Sequence, residues 1–306
     1  MSAVEAARPR GTLNNSLFAA LLVSVLIVFL AAVALVLLSN VWYLAGPHPA
    51  VGKSGWQLFL AGLQDPENLF AIKLSVLMSA ITALISMLVA IPAAYSLSRF
   101  RVVGSSIIDT LLDLPIVVPP PVLGLSLLMF FQTAAGRAVN DLTPQWFVGS
   151  INLVLSHILG QPIRDDQNWV YSTRGIVLAQ FFVACSFGVR AVKAAFDTIG
   201  TRHEEVARTL GCTRRQAFFR VVLPMARTGI VAGAVMTWAR AVAEFGPVLF
   251  FCGATRLKTE VLPIGMFLLY SAGKLEQAVV LLLIMLIIST LTLLTFKRLG
   301  GKGYLW

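Results

Sequence analysis

Residues 204–224 read EEVARTLGCTRRQAFFRVVLP, a polar stretch with the turn and capping residues of two short helices. The chain around it is far more apolar. Of the 306 residues, 58% are hydrophobic and 12% are charged, and the mean hydropathy is +0.83. Soluble domains carry about 25% charged residues. The composition therefore predicts a membrane protein, in which this polar stretch needs an explanation.

Six apolar runs are long enough to cross a bilayer as helices, since about 20 residues span its hydrocarbon core. They cover residues 16–38, 71–97, 105–131, 175–195, 229–251 and 278–296. The first run is longer than the apolar core of a secretory signal peptide, so we expect an uncleaved span. Open strands would leave backbone polar groups unpaired in lipid. The expected fold is therefore an all-α membrane protein with six transmembrane helices.

The distribution of basic residues predicts the orientation of the chain. With a cytoplasmic N-terminus, fifteen of the 24 lysines and arginines lie on the cytoplasmic side, eight lie outside and Arg240 lies within a span. This bias follows the positive-inside rule, and it accounts for most of the net charge of +10. We therefore expect both termini in the cytoplasm, with 16–298 as one transmembrane domain between the cytoplasmic segments 1–15 and 299–306.

Several further features of the sequence have no clear chemical role. Residues 146–159 and 261–270 are apolar but too short to cross the bilayer, so they fit interfacial, re-entrant or core-packed helices. Cys185, Cys212 and Cys252 lack pairing or metal-ligand spacing and are interpreted as small buried residues. The three histidines are scattered along the sequence. No metal site or catalytic residue is expected.

Local signals divide the polar stretch, with the residues just before it, into two short helices. Thr201 and Glu204 have the spacing of a capping box, which satisfies free backbone donors at a helix start. Gly211 stands where a helix can end in a left-handed residue. Thr213 and Gln216 repeat the capping spacing and predict the start of a second helix.

The second helix is expected to end at Pro224, because proline lacks a backbone donor and its ring clashes with the preceding turn. Phe218, Val221 and Val222 form an apolar stripe on this helix, and Val206 with Leu210 do so on the first. A DNA-binding helix-turn-helix has similar turn spacing. Since lipid spans begin within a few residues on both sides, no nucleic-acid partner is expected, only membrane lipid and protein.

The stretch resembles the EAA signature of permease subunits of ATP-binding cassette (ABC) importers. That signature is E-A-A, three residues, Gly, nine residues and I-x-L-P. The matching positions here are Glu205-Val206-Ala207, Gly211 and Val221-x-Leu223-Pro224. The resemblance implies a coupling hairpin over residues 201–224 that sits in a cleft of an ATPase subunit. The coupling residues it implies are Glu204, Glu205, Ala207, Gly211, Leu223 and Pro224.

The chain carries no complete phosphate-binding loop of its own. Residues 46–54 read GPHPAVGKS, with five residues between the two glycines instead of the four of a P-loop, and no strand precedes them. We therefore expect a transport subunit rather than an enzyme. No cofactor is expected on this chain, and ATP with magnesium is expected at a separate ATPase subunit dimer.

Two further stretches narrow the resemblance. Residues 113–128 (DLPIVVPPPVLGLSLL) and 239–253 (ARAVAEFGPVLFFCG) are similar to runs in sulfate, molybdate and tungstate permeases of the MetI-like fold. This resemblance implies a dimer, a homodimer in the simplest case, in the bacterial inner membrane. It also implies a periplasmic or lipid-anchored binding protein that delivers a tetrahedral oxyanion. Ala243 in place of Gly, Pro247 and the long external loop 132–172 depart from the family pattern and leave the substrate open.

The same stretches contain candidate pathway residues. Three consecutive prolines are expected to break the third span near mid-membrane, and broken helices line the pathways of many transporters. Arg240 and Glu244 share a helix face and are expected to pair. Charges at such depth face an interior or a cavity, so both a packing and a gating role remain open. The predicted pathway or gate comprises Pro119, Pro120, Pro121, Arg240, Glu244, Phe245 and Gly246.

Two alternatives to an oxyanion importer remain. The coupling signature is shared with importers of phosphate, ferric ion, polyamines and thiamine. An ion-coupled secondary transporter would instead use Arg240 and Glu244 as a relay.

Asp109 and Asp113, near the cytoplasmic end of the third span, are interpreted as partners of loop arginines.

Overall fold

The computed structural model describes residues 12–46, 54–100 and 104–299. Within these ranges every regular element is a helix and no β-strand occurs, which confirms the all-α prediction. The helices are α1 (Thr12–Ala45), α2 (Gly55–Gln64), α3 (Pro66–Arg99), α4 (Ser105–Val117), α5 (Pro120–Gln132), α6 (Ala134–Leu142), α7 (Gln145–Leu159), α8 (Thr173–Asp197), α9 (Arg202–Thr209), α10 (Arg214–Ala217), α11 (Leu223–Met225), α12 (Arg227–Val242), α13 (Gly246–Cys252), α14 (Leu262–Ser271) and α15 (Leu275–Leu299). A π-helical turn, Phe218–Val222, joins α10 to α11.

Three sequence predictions fall outside the described residues. They concern most of the incomplete phosphate-binding loop (47–53), the basic N-terminal segment (1–11) and nearly all of the C-terminal segment (300–306). The chain divides into two compact units, residues 1–59 and 60–306. In the first unit, α1 contains the apolar segment Phe18–Ala45, which is long enough to cross a membrane.

The lengths and compositions of the helices allow between four and six membrane spans in the described part of the chain. Four single helices qualify: Phe18–Ala45, Pro66–Arg99, Thr173–Asp197 and Leu275–Thr295. Two bent helix pairs also qualify, α4 with α5 at 109° and residues 214–225 with α12 at 71°. Five of the six predicted spans therefore correspond to the four single helices and the bent pair of α4 and α5, whereas the second bent pair shares only α12 with the predicted span 229–251.

The predicted single helix over residues 229–251 is wrong. α12 ends at Val242, three residues are not helical, and α13 begins at Gly246. Pro247 occupies the first turn of α13, where its missing N–H and its fixed φ suit a helix start. The apolar composition runs across the break, so hydropathy alone could not reveal it.

The core of the second unit is built on α3 and α8, with α12 against both. Small side chains line the buried face of α3, including Ala71, Ser75, Ser79, Ala90 and Ala94. Small residues let helix backbones approach closely in a membrane, where packing rather than water exclusion drives helix association. A buried hydrogen bond of 2.9 Å from Thr82 Oγ1 to Gln180 Oε1 also joins α3 to α8, and such bonds contribute about 1 kcal/mol.

The two short apolar stretches are helices, as predicted. α7 is partly exposed, whereas α14 is packed into the core, and its Leu262 N–H donates to Ser75 Oγ at 2.6 Å. The loop that follows α7 is held by hydrogen bonds, among them Asn152 Nδ2 to the Asp165 carbonyl at 2.9 Å. Trp169 Nε1 donates to Thr143 Oγ1 at 3.0 Å. The segment between α5 and α8 is therefore an ordered helical layer.

Candidate functional site

The turn between α9 and α10 has the predicted left-handed glycine. Gly211 has φ +90°, a conformation that costs a residue with a side chain more than it costs glycine. Its N–H donates to the Arg208 carbonyl at 3.0 Å, and the Cys212 N–H donates to the Ala207 carbonyl at 3.1 Å. These bonds satisfy carbonyls at the end of α9 and set the angle between the two short helices.

The capping box at the start of α10 is confirmed. The Gln216 N–H donates to Thr213 Oγ1 at 3.2 Å, and the Thr213 N–H donates to Gln216 Oε1 at 2.9 Å. The second short helix therefore begins where its sequence predicts, because both groups of the box lie within four residues of each other.

The capping box predicted at Thr201 and Glu204 is wrong. Thr201 has helical backbone angles and makes no side-chain capping bond. The Glu204 carboxylate instead accepts hydrogen bonds from the Tyr95 hydroxyl and from Arg99 Nε, the latter at 3.0 Å. A hydrogen bond between two charged groups is stronger than one between neutral groups. The Glu204 carboxylate therefore binds Arg99 of α3 and not the backbone at the start of α9.

Pro224 does not end the second helix, contrary to the prediction. The helix widens into the π-turn, continues through Pro224 and ends at Met225. In this turn the Leu223 N–H donates to the carbonyl of Phe218, five residues back. The wider turn makes room for the proline ring, which would clash with a carbonyl in a regular α-helix.

The two apolar stripes of the hairpin face different surroundings. Val222 is fully buried and Phe218 is half-buried, with its ring 4.5 Å from that of Tyr95. Val206 and Leu210 are 50% and 81% exposed. The stripe on α10 and the π-turn therefore anchors the hairpin to the core, whereas the stripe on α9 is free to contact another surface.

The charges of α9 also divide between the two sides. Glu204 is 13% exposed in its side chain, and Glu205 beside it is exposed. Ala207, one of the predicted coupling residues, is buried at 8% exposure and fits the inner face. Leu223 is half-buried and Pro224 is exposed at the far end of the hairpin. The predicted coupling residues thus form one element with an inner and an outer face.

The structure brings the two pathway stretches into direct contact. The chain breaks at Val118 and Pro119 between α4 and α5, as the prolines predict. A Cβ placed on Gly246 would lie 2.8 Å from the Pro121 nitrogen, and one on Gly124 would lie 2.7 Å from Pro247 Cα. The break in the third span and the start of α13 therefore pack backbone against backbone.

Arg240 and Glu244 pair as their spacing predicts. Arg240 Nη1 donates to Glu244 Oε2, and the guanidinium lies 5.6 Å from the ring centre of Phe187. Glu244 is 1% exposed, and its second oxygen, Oε1, has no hydrogen-bond partner. The ring of Phe245 packs at a tilted angle against that of Phe267 of α14, with ring centres 5.5 Å apart. The pair is a buried link at the end of α12, next to the contact made by Gly246.

Asp109 and Asp113 pair with an arginine, but it lies in a helix and not in a loop. Arg190 of α8 contacts Asp109 at 3.1 Å and Asp113 at 2.6 Å. The two aspartates are four residues apart on α4, so a single guanidinium reaches both.

The free cysteines 185 and 252 are buried as predicted, whereas Cys212 is half-buried.

The sequence interpretation missed Tyr95 and Arg99 as members of the site. They lie four residues apart at the last turn of α3, so their side chains share one face. In the sequence, Arg99 counts only as one of the fifteen basic residues on the predicted cytoplasmic side. A tyrosine and an arginine on one face at the end of a span are a signal for an interior ion pair, but the acidic partner, Glu204, is 105 residues away.

The sequence profile of binding-protein-dependent transport system inner membrane components matches residues 83–300, which include the hairpin and both pathway stretches. This chain belongs to that family. It is a permease subunit of the MetI-like type in an ABC importer, and ATP hydrolysis belongs to a separate ATPase. As a member of this family with several apolar helices, this permease is a multi-pass inner membrane protein.

This permease is similar to three curated relatives of related function. It is 30% identical over 217 residues to the sulfate transport system permease protein CysT of Escherichia coli, with 71% of each chain covered. It is 35% identical over 193 residues to the molybdate/tungstate permease WtpB of Thermococcus kodakarensis, with 63% of this chain and 64% of that protein covered. It is 30% identical over 268 residues to the molybdenum permease ModB of Mycobacterium bovis, with 87% and 91% covered.

Two solved structures have the same fold as this permease. One is a bacterial ABC transporter involved in the import of the acidic polysaccharide alginate, with a TM-score of 0.67, 16% identity and 94% of this chain and 97% of that chain covered. The other is the alginate transporter in complex with a pentasaccharide-bound periplasmic protein, with a TM-score of 0.66, 17% identity and coverage of 95% and 97%. At these identities the likeness concerns the fold alone.

Proposed function

We propose that this permease carries a tetrahedral oxyanion (molybdate, tungstate or sulfate) into the cell. The observation that carries this proposal is the similarity of the chain to sulfate, molybdenum and molybdate/tungstate permeases over 63–87% of its length. The contact between residues 113–128 and 239–253 supports it, because these are the two stretches in which the sequence resembles such permeases and the structure packs them together.

In the proposed mechanism, two permease chains enclose a pathway at their shared axis, and a homodimer is the simplest form. A periplasmic or lipid-anchored binding protein delivers the anion from outside. A dimer of ATPase subunits binds ATP and magnesium on the cytoplasmic side, where both termini of this chain lie. No cofactor is bound by the permease itself. Closure of the ATPase dimer moves the hairpin at residues 201–224 and alternates access to the pathway.

The proposed roles of the site residues follow from their positions. Glu205, Val206 and Leu210 form the exposed face of α9, which suits contact with the ATPase. A partner surface that combines an apolar contact with charge pairs fits such a face. Ala207, Gly211, Leu223 and Pro224 shape the element, and the inward Glu204 joins it to the bundle.

The pathway residues are assigned to gating and packing. Pro119, Pro120 and Pro121 set the break between α4 and α5, and Gly246 with Phe245 packs α13 against it. Arg240 is paired with Glu244, so its positive charge is largely compensated. An anion would be attracted by Arg240 and repelled by Glu244. This pairing favours a gate or a structural link over direct binding of the anion.

The proposal is tested by uptake into proteoliposomes that contain the permease and its ATPase subunit, with the binding protein outside and ATP inside. We expect uptake of radiolabelled molybdate that requires internal ATP and is inhibited by excess tungstate or sulfate, but not by phosphate, spermidine or thiamine. Uptake of one of those other solutes, with no effect of the three oxyanions, would assign a different substrate.

An uncoupler separates the proposal from an ion-coupled secondary transporter. If Arg240 and Glu244 relay protons, uptake collapses when the proton gradient is dissipated and persists without ATP. If the ATPase supplies the energy, uptake persists with the uncoupler and stops without ATP. The second result is expected.

A further inference from the structure

We infer that Tyr95 and Arg99 are positioning residues that tie Glu204 to α3, so that the coupling hairpin and α3 move as one body. This inference rests on the proposed function, in which the hairpin receives the movement of the ATPase. It assigns the two neighbouring glutamates of α9 to different tasks. Glu205 faces the partner, whereas Glu204 passes the displacement inward.

Arg99 holds three parts of the chain together. Its Nε donates to Glu204 Oε2 at 3.0 Å, and its Nη2 donates to the carbonyls of Phe196 at 3.1 Å and Ile199 at 2.7 Å. Its Nη1 donates to Ser98 Oγ at 3.0 Å. One guanidinium thus connects the end of α3, the end of α8 and the first turn of α9. Because the planar guanidinium has fixed donor directions, it also sets their mutual orientation.

The ion pair between Arg99 and Glu204 is shielded from solvent. The side chains of Arg99 and Glu204 are 8% and 13% exposed. An ion pair at a solvent-exposed surface is weak and mobile, whereas removing one member of a buried pair leaves an uncompensated charge. The burial of this pair therefore suits a link that must keep its geometry while the hairpin is displaced.

Tyr95 adds an aromatic contact to the same link. Its hydroxyl donates to Glu204 Oε1, so both carboxylate oxygens are held by α3. Its ring centre lies 4.5 Å from that of Phe218 in the π-turn and 5.7 Å from that of Phe196 in α8. The two short helices of the hairpin are thus both fastened to α3, one through Glu204 and the other through Phe218.

The opposite half of α3 contacts the loop that follows α13 and the start of α14. Ser75 Oγ accepts the N–H of Leu262 at 2.6 Å, and Glu67 pairs with Arg256. The 34 residues of α3 span about 51 Å at 1.5 Å per residue. A displacement of the hairpin would therefore be delivered along α3 to the segment between α13 and α14, at the opposite end of this helix.

The test measures uptake per ATP hydrolysed in the reconstituted complex of permease, ATPase subunit and binding protein. The variants are Arg99→Gln, Glu204→Gln, the double variant and Tyr95→Phe. Lys193→Gln is the control, because the side chain of Lys193 pairs with Asp197 within α8 at the same end of the bundle. Glu205→Arg is included to test the outer face of the hairpin.

We expect each single glutamine variant to lower uptake per ATP by about tenfold, within the usual range of coupling between distant sites, while the ATPase subunit still co-purifies in the normal amount. The double variant is expected to resemble either single variant, because both remove the same interaction. Tyr95→Phe is expected to show a smaller loss of the same kind, and Lys193→Gln none. A merely misfolded permease would lose uptake and ATP hydrolysis together, so the ratio would not fall.

The inference is overturned if uptake per ATP is unchanged in both single variants, or if the losses of the two multiply in the double variant. It is also overturned if Glu204→Gln releases the ATPase subunit. Should a glutamine variant fail to assemble, Tyr95→Phe decides, since it removes one hydroxyl only. Normal uptake by Glu205→Arg would instead contradict the proposed coupling function, so the two failures are distinguishable.

Discussion

At the scale of single residues, two glycines explain how the break in the third span is held. Gly124 and Gly246 stand where α5 and α13 approach each other, and each faces backbone atoms of the other segment's prolines. A flexible side chain could yield to an added methyl group, but a proline backbone within a helix cannot. The prolines alone create the bend, and the glycines allow it to be packed.

We predict that Gly124→Ala destabilises the permease. The added Cβ would lie 2.7 Å from Pro247 Cα and 3.0 Å from Phe250 Cβ, and overpacking of this kind costs about 1–3 kcal/mol. Thermal unfolding of the detergent-solubilised permease measures the effect as a lower midpoint. Gly149→Ala in α7 is the control, because nothing lies within 4 Å of its Cβ position and alanine favours a helix by about 0.5–1 kcal/mol. Equal midpoints for the two variants would contradict the close contact of α5 and α13.

At the scale of elements, the hairpin combines local turn chemistry with distant anchoring. The turn at Gly211 and the capping box at Thr213 depend on neighbours in sequence. The π-turn and the direction of Glu204 depend on α3 and α8. The shape of the hairpin is thus set by neighbouring residues, and its orientation by contacts with α3 and α8. Such an element is suited to transmit a displacement, because its shape does not change when it moves.

We predict that Glu205→Arg and Gly211→Val abolish ATP-driven uptake while the permease remains in the membrane. Glu205→Arg reverses a charge on the exposed face of α9. Gly211→Val forces a β-branched residue into φ +90°, which such residues strongly disfavour. Uptake assays combined with quantification of the permease in the membrane fraction measure both effects.

Gly200→Val is the matched control for the hairpin variants. Gly200 does not have a positive φ, and nothing lies within 4 Å of its Cβ position. It lies just before α9, so the variant is expected to retain most of the uptake. Normal uptake by both hairpin variants would contradict the assignment of this hairpin to coupling.

At the scale of the whole molecule, orientation is the property on which the mechanism depends. The hairpin must face the cytoplasm if an ATPase is to reach it, and the proposed orientation rests on the excess of basic residues on that side. The described residues contain one half-buried cysteine, Cys212, in the hairpin, together with the buried Cys185 and Cys252. This distribution provides a test with native residues.

We predict that a membrane-impermeant maleimide modifies Cys212 in inside-out vesicles and not in right-side-out vesicles. Cys185 and Cys252 are expected to remain unmodified in both, because they are buried. Lys274→Cys in a Cys212→Ser background is the control, since Lys274 is exposed in a turn predicted to lie outside. It is expected to react with the opposite preference. Labelling of Cys212 from the outside would reverse the topology and remove the ATPase contact.

The sequence alone was sufficient for features whose partners are close along the chain. The apolar lengths of the spans, the left-handed Gly211, the capping box of Thr213 and the Arg240–Glu244 pair all involve residues within one helix or one turn. The same holds for the break at Pro119, because proline acts on its own backbone. The coupling signature could be read for the same reason, since its fixed positions lie within twenty residues.

Only the tertiary structure decided the features that depend on distant segments. The Glu204 side chain pairs with Arg99, 105 residues away, and does not cap α9. A buried charged partner binds the carboxylate more strongly than a backbone donor does. The helix continues past Pro224 because the π-turn is packed against α3 and α8. The gap before Gly246 is set by its contact with Pro121, 125 positions earlier. Local propensity contains no information about such neighbours, and in each case packing or pairing between segments outweighed it.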